Sequence, residues 1–133
     1  MSSLTFVGHR AFANCPDLKT VTILASVDSI GVAAFIGCKE LETLTIGESV
    51  SSIGDRAFKS CTSLAEAPLP DSVVTIGVGA FNGCSNLTSI TIPINVTRIA
   101  SYAFFECTCL DSVYIKGEVV SIGNMAFAKC SAL

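Results

Sequence analysis

The chain has 133 residues, a formal net charge of −3 and a pI of about 4.9. Its basic residues (Arg10, Lys19, Lys39, Arg56, Lys59, Arg98, Lys116, Lys129) are scattered and form no stripe able to neutralise a phosphate backbone, which excludes a nucleic-acid partner. It is 50% hydrophobic with a mean hydropathy of +0.64, yet no apolar run approaches the roughly 20 residues of a spanning helix, so no membrane span is expected.

One unit repeats along the whole chain. Ala-Phe pairs stand at 11–12, 34–35, 57–58, 80–81, 103–104 and 126–127, a spacing of 23 residues. Behind them follow Cys15, Cys38, Cys61, Cys84, Cys107 and Cys130, then Leu18, Leu41, Leu64, Leu87, Leu110 and Leu133. A fixed period of this size is the mark of a solenoid, whose units bury their apolar faces only against their neighbours. The fixed apolar positions should face inward and stack as ladders, while the variable ones meet solvent.

Each unit opens with a strand. Val21-Thr22-Ile23, Leu44-Thr45-Ile46, Ile90-Thr91-Ile92 and Val113-Tyr114-Ile115 alternate an inward apolar residue with an outward one. The third strand falls on Ala65-Glu66-Ala67-Pro68-Leu69-Pro70. Proline has no N–H to give a ladder, so this strand should be weakened or bulged without loss of the coil. The second half of each unit has apolar residues every third position, which suits a helical turn, a 3₁₀ segment or a tight irregular arc. Gly8, Gly31, Gly54, Gly77 and Gly123 open these arcs. They serve either a left-handed bend or a close backbone approach. Ala100 replaces the glycine once, so the left-handed bend cannot be obligatory unless that coil is distorted. Six coils joined by a parallel sheet would rise about 4.8 Å each and span roughly 29 Å. Leu4 falls at the position of Val27, and Leu133 on the repeat's leucine, so both ends cut through a coil. The expectation is one solenoid over residues 1–133, excised from a longer array without its native polar caps.

These residues resemble the BspA-like class of leucine-rich repeats, which has 23-residue units, an Ile-Gly step, an Ala-Phe pair and a cysteine. The resemblance covers essentially all of the chain. It implies a β-rich α/β repeat solenoid of about six coils, right-handed, with a parallel sheet on one face and short helical, 3₁₀ or irregular arcs on the other. It also implies a surface or secreted protein of a bacterium or protist, used in adhesion to host cells or matrix or in protein recognition. It implies no catalytic residues and no cofactor, because the shared motif is core. The asparagine ladder of ordinary leucine-rich repeats is replaced by Ser26, Ser49, Ser72, Asn95 and Glu118, so the bend after the strand must satisfy its backbone through hydroxyls or main chain.

Six of the seven cysteines are ladder positions, and Cys109 is extra. Residues repeated on successive coils point the same way, which suits packing as small buried hydrophobes and hinders disulfide geometry. The spacing matches no zinc motif. Cys109 sits at a variable, exposed position, open to intermolecular disulfides in oxidised samples. His9 is the only histidine and also lies at a variable position, so no nucleophilic triad is expected. Asn86-Leu87-Thr88 and Asn95-Val96-Thr97 match the glycosylation sequon, which matters only in a protein secreted by a eukaryote.

Two outward columns on the strand face form the candidate ligand surface. Thr22, Thr45, Pro68, Thr91 and Tyr114 form one; Thr20, Thr43, Glu66, Ser89 and Ser112 form the other. A hydroxyl-rich sheet with one tyrosine could hydrogen-bond a protein or glycan; equally, threonine simply suits strands. On the opposite face Tyr102, Phe105 and Met125 gather as an apolar patch, with Val32 and Ile36 as a smaller one. Such patches mark contacts, and self-association through Tyr102, Phe105 and Met125 is one expectation; cover by further coils is the other. Three functional readings follow. The first is a non-enzymatic adhesion or recognition module. The others are a self-assembling structural module and an intracellular interaction scaffold.

Overall fold

A computed structural model describes residues 4–133 as a stack of coils whose elements are all parallel strands and turns. Each coil contributes a front strand: β2 (Thr20–Ile23), β4 (Thr43–Ile46), β7 (Ser89–Ile92) and β9 (Ser112–Ile115). A shorter back strand follows: β1 (Phe6–Val7), β3 (Ser29–Ile30), β5 (Ser52–Ile53), β6 (Thr75–Ile76), β8 (Arg98–Ile99) and β10 (Ser121–Ile122). Pairing keeps the repeat register, Thr22 beside Thr45 and Thr91 beside Tyr114. The alternation in β2, β4 and β7 buries every second residue, as period-2 patterning requires. The two-residue back ladder is an addition to the sheet expected from sequence.

The arcs are turns, and no helix or 3₁₀ segment forms among the described residues. They run over residues 9–14, 32–37, 55–60, 78–83, 101–106 and 124–129, here arcs 1 to 6. Each is a succession of i→i+3 turns, such as Ala34 N–H to Gly31 O and Cys38 N–H to Phe35 O. Two residues per arc are left-handed, for example Arg56 (φ 57) and Ser60 (φ 62), or Gly79 (φ 64) and Gly83 (φ 76). Both donate their N–H groups to the next coil, and so does the phenylalanine between them. Arg56, Phe58 and Ser60 reach the carbonyls of Val78, Ala80 and Asn82 at 2.9, 2.8 and 2.7 Å. Three such bonds recur at all five arc-to-arc interfaces.

The Ile-Gly glycines do the second of the two jobs open to them. None of Gly31, Gly54, Gly77 and Gly123 has positive φ. Instead, a Cβ on Gly54 would lie 2.6 Å from Gly31 C, and one on Gly123 2.4 Å from Ser101 N. The coils approach too closely there for any side chain. Ala100 carries that Cβ, and there the back ladder splits: β1-β3-β5-β6 and β8-β10 are separate sheets. The bond corresponding to Gly77 N–H to Ile53 O (2.9 Å) is missing between Ala100 and Ile76, and an open cleft of 340 Å³ lies between the two coils.

The front sheet splits as well, at the predicted proline. No backbone hydrogen bond joins residues 66–69 to either neighbouring coil, while Leu64 and Ala67 remain buried. The coil persists because its core does. Phe35, Phe58, Phe81 and Phe104 are buried and stack nearly parallel, with ring centroids 5.3–5.6 Å apart. Each contributes about 1.5–3 kcal/mol by burial, and each pair about 0.5–1.5 kcal/mol more.

Candidate functional site

The cysteine column comes first because it holds the most reactive side-chain type. Cys38, Cys61, Cys84, Cys107 and Cys130 are buried and free. Each thiol donates to the carbonyl of the phenylalanine one coil earlier, as Cys61 to Phe35 O at 3.2 Å and Cys84 to Phe58 O at 3.1 Å. The column is therefore a hydrogen-bonded ladder and not only a packed one. Burial pushes the Cys61 and Cys107 thiols up to about 12 and raises Cys84 well above its ordinary value. Thiols so protonated are not nucleophiles at neutral pH. Cys109 is exposed.

His9 has a structural partner that its variable position does not announce. Its Nδ1 accepts the N–H of Val32 at 2.8 Å. Asp55 Oδ1 accepts from Val78 N–H at 2.8 Å, and Ser101 Oγ from Asn124 N–H at 3.2 Å. The only trace in sequence is a polar acceptor on alternate coils. At the bend after the strand, Ser26 and Ser72 hydroxyls donate to Leu4 O (2.6 Å) and Val50 O (2.7 Å), taking the place of an asparagine ladder. Among the described residues, no group of three or more His, Cys, Asp or Glu converges on a point.

The strand face is an open surface. Thr20, Thr22, Thr43, Thr45, Glu66, Ser89, Thr91, Ser112 and Tyr114 are all exposed, Tyr114 at 67%. Their columns are in register where the ladder is intact. At Pro68 the face is notched on both sides. A depression of 330 Å³ lies between Thr45, Glu48 and Pro68 on one side and Asp71 and Lys116 on the other. A second, of 170 Å³, lies among Glu66, Pro68, Ser89 and Thr91. Lys116 Nζ meets Asp71 Oδ1 at 2.9 Å across the intervening coil. The pair is solvent-exposed and worth about 0–1 kcal/mol. Sequence reasoning missed it because the partners stand two coils apart. The sites on this face are thus shallow and of mixed polarity, suited to many weak contacts and not to enclosing a substrate.

The turn face carries the apolar patch. Tyr102 and Phe105 pack edge to face with centroids 5.3 Å apart, and Lys129 Nζ stands 5.7 Å from the Phe105 ring centre. Met125 is 49% exposed and Tyr102 38%. Both are left-handed, at φ 56 and φ 60. This conformation costs a non-glycine residue about 1–2 kcal/mol, and Gly79 occupies the same position one coil earlier without that cost.

Comparison with known proteins agrees with this architecture. A model of the BspA-type leucine-rich repeat region matches residues 5–133 in six copies. A T. pallidum leucine-rich repeat protein is 31% identical with a TM-score of 0.75, over 97% of this chain and 71% of its own. A leucine-rich cell surface protein of Faecalibacterium prausnitzii is 32% identical with a TM-score of 0.83, over 97% of this chain and 41% of its own. The pneumococcal vaccine antigen PcpA shares the fold at 24% identity and a TM-score of 0.75, over 90% of this chain and 31% of its own. No curated protein matches the chain. Leucine-rich repeat proteins are in general non-enzymatic and bind other proteins, and no helix among the described residues is long and apolar enough to cross a membrane. Six matched repeats, the stacked phenylalanine and thiol ladders and the parallel front strands lead to one statement: the chain belongs to the BspA-type leucine-rich repeat family.

Proposed function

We propose that the chain is a non-enzymatic recognition module of a surface or secreted protein, binding a protein or glycan ligand of a host cell or matrix through its strand face. The observation that carries this reading is the strand face itself. Its outward columns are exposed and hydroxyl-rich, and nothing among the described residues covers them. Repetition places equivalent donors and acceptors one coil apart, which suits an extended partner held by many small contacts. The Faecalibacterium neighbour, described as a cell surface protein, supports the location.

The test is binding of the purified protein to host-type cells, matrix proteins and glycans, against a variant with Thr22→Glu, Thr45→Glu and Thr91→Glu. Circular dichroism checks that the variant folds. Wild-type binding lost in the folded variant is the expected result. Equal binding by both would move recognition away from this face. The second reading, an assembly module, rests on exposed Tyr102, packed against half-buried Phe105, beside exposed Met125.

A further inference from the structure

One interface of the stack differs from the others. It lies between the Pro68 coil, residues 64–86, and the coil of residues 87–109. The sheets divide there: β1-β3-β5-β6 and β2-β4 end by Ile76, while β7-β9 and β8-β10 begin at Ser89. Among the described residues no ladder, front or back, crosses this interface, whereas each other interface keeps at least one. On the front, a depression of 170 Å³ lies between Glu66 and Pro68 on one coil and Ser89 and Thr91 on the next. On the back, the 340 Å³ cleft lies between Val74 and Ile76 and, facing them, Thr97 and Ala100. The N–H groups of Thr97 and Ala100 and the carbonyls of Val74 and Ile76, which would close the back ladder, make no bond across it and are left to solvent.

The bonds that do cross are concentrated on the arc side. Gly79, Phe81 and Gly83 N–H reach the carbonyls of Ser101, Ala103 and Phe105 at 3.0, 2.9 and 2.7 Å. The Cys107 thiol reaches Phe81 O at 3.2 Å, and Thr88 N–H, just before β7, reaches Ala65 O at 3.2 Å. The rings of Phe81 and Phe104 stay parallel but stand 5.6 Å apart, against 5.3–5.4 Å in the other four pairs. We propose that this interface is a hinge: residues 4–86 and 87–133 move as two blocks, pivoting on the arcs and opening at the bend between front and back strands. Each block keeps its own ladders, and hinges concentrate motion in this way at a few residues between bodies that stay bonded within. A latch lies on the opening side. Asp71 belongs to one block and Lys116 to the other, and their exposed pair spans the bend at 2.9 Å. The Asn95 amide adds only a long contact to Asp71 O, at 3.5 Å. An exposed ion pair is weak and screened by salt, so it biases the hinge toward closure without locking it. Opening tilts Ser89, Thr91, Ser112 and Tyr114 against Thr20, Thr22, Thr43 and Thr45, so the strand face consists of two panels set at an adjustable angle. The inference concerns motion within the chain and stands independently of the recognition reading.

Residual dipolar couplings of the backbone amides in a weakly aligning medium test it, because two blocks that move against each other report alignment of unequal magnitude. The couplings are measured for wild type, for Lys116→Glu, which sets a carboxylate against Asp71, and for Ala100→Gly, which removes the Cβ at the split back ladder. Thermal melts show that both variants fold. The magnitudes fitted to residues 4–86 and 87–133 are expected to differ in wild type. Lys116→Glu should widen the difference by breaking the latch, and Ala100→Gly should narrow it by closing β8 onto β6. Dividing the chain at residue 63, where the back ladder is intact, should give no such difference. A single alignment that fits the whole chain in both wild type and Lys116→Glu overturns the hinge. So does a difference as large across residue 63, which would spread the motion over the stack, or one that Ala100→Gly leaves unchanged.

Discussion

The turn face and the strand ladders of this solenoid are built from the same repeat, yet only one of them is continuous. Three arc N–H groups cross every interface between coils, whatever residues donate them. The front ladder is broken once, at Pro68, and the back ladder once, at Ala100. The front break spans both interfaces of the Pro68 coil, the second of which is also where the back ladder splits, and across both the phenylalanine and cysteine columns run through unaltered. The coils are therefore held by core and arcs, while the strands tolerate interruption. A surface that tolerates interruption is free to vary toward a ligand.

The strongest way to break that contrast is to attack the core. Phe58→Ala removes a buried ring stacked between Phe35 and Phe81. Both neighbours lose a face, and adjoining coils can collapse only partly into the space. A loss of about 3–5 kcal/mol in urea unfolding is expected. A loss below about 1 kcal/mol would mean that the column is not what holds the coils.

Alkaline pH probes the thiol ladder. The Cys61 and Cys107 thiols are pushed up to about 12 by burial, against about 8.5 in an unfolded chain. Between those values the unfolded state binds fewer protons than the folded one, so stability must fall as pH rises. It is fully retained below about pH 8.5. Above that it declines by up to about 1.4 kcal/mol per pH unit for each such thiol, until the folded state also titrates. Urea midpoints measured from pH 7 to 11 should bend downward above about 8.5, and Cys61→Ala should make the decline shallower. A flat profile would place these thiols in water.

What the sequence made legible was what a side chain must satisfy in every coil. The Phe, Cys, Leu and Ile positions recur because only apolar side chains fill the shared interior, and Pro68 stood out because it has no N–H. The left-handed pairs were hidden, since the residues there include Arg10, Ala33, Arg56, Gly79, Tyr102 and Met125. The backbone decides those positions by aiming N–H groups at the next coil, so composition carries no trace. The back ladder was hidden too, because a strand of two residues has no period to read. Of the candidate site, the sequence placed the outward columns. It showed neither the notch beside Pro68 nor the pairing of Lys116 with Asp71, because both depend on how far neighbouring coils separate.

Ala100 gives the finest test of the contrast, because a single carbon separates a broken ladder from an intact one. Gly54, Gly77 and Gly123 bring their coils so close that a Cβ would sit within 2.6 Å of the preceding backbone. In those coils the glycine N–H reaches the isoleucine carbonyl one coil back at 2.7–2.9 Å. Ala100→Gly should let β8 close onto β6 and restore the bond to Ile76, along with that between Thr97 and Val74. Two hydrogen bonds at about 1 kcal/mol each oppose about 0.5–1 kcal/mol of added chain entropy from glycine, leaving a gain of about 1 kcal/mol. Amide exchange at Ala100 and Thr97 should slow in step. Gly54→Ala is the reverse experiment, wedging apart a ladder that is now closed, and it should lower the urea midpoint. If Ala100→Gly leaves exchange unchanged, the Cβ is not the wedge, and the split in the back ladder must come from Val74 or Arg98 beside it.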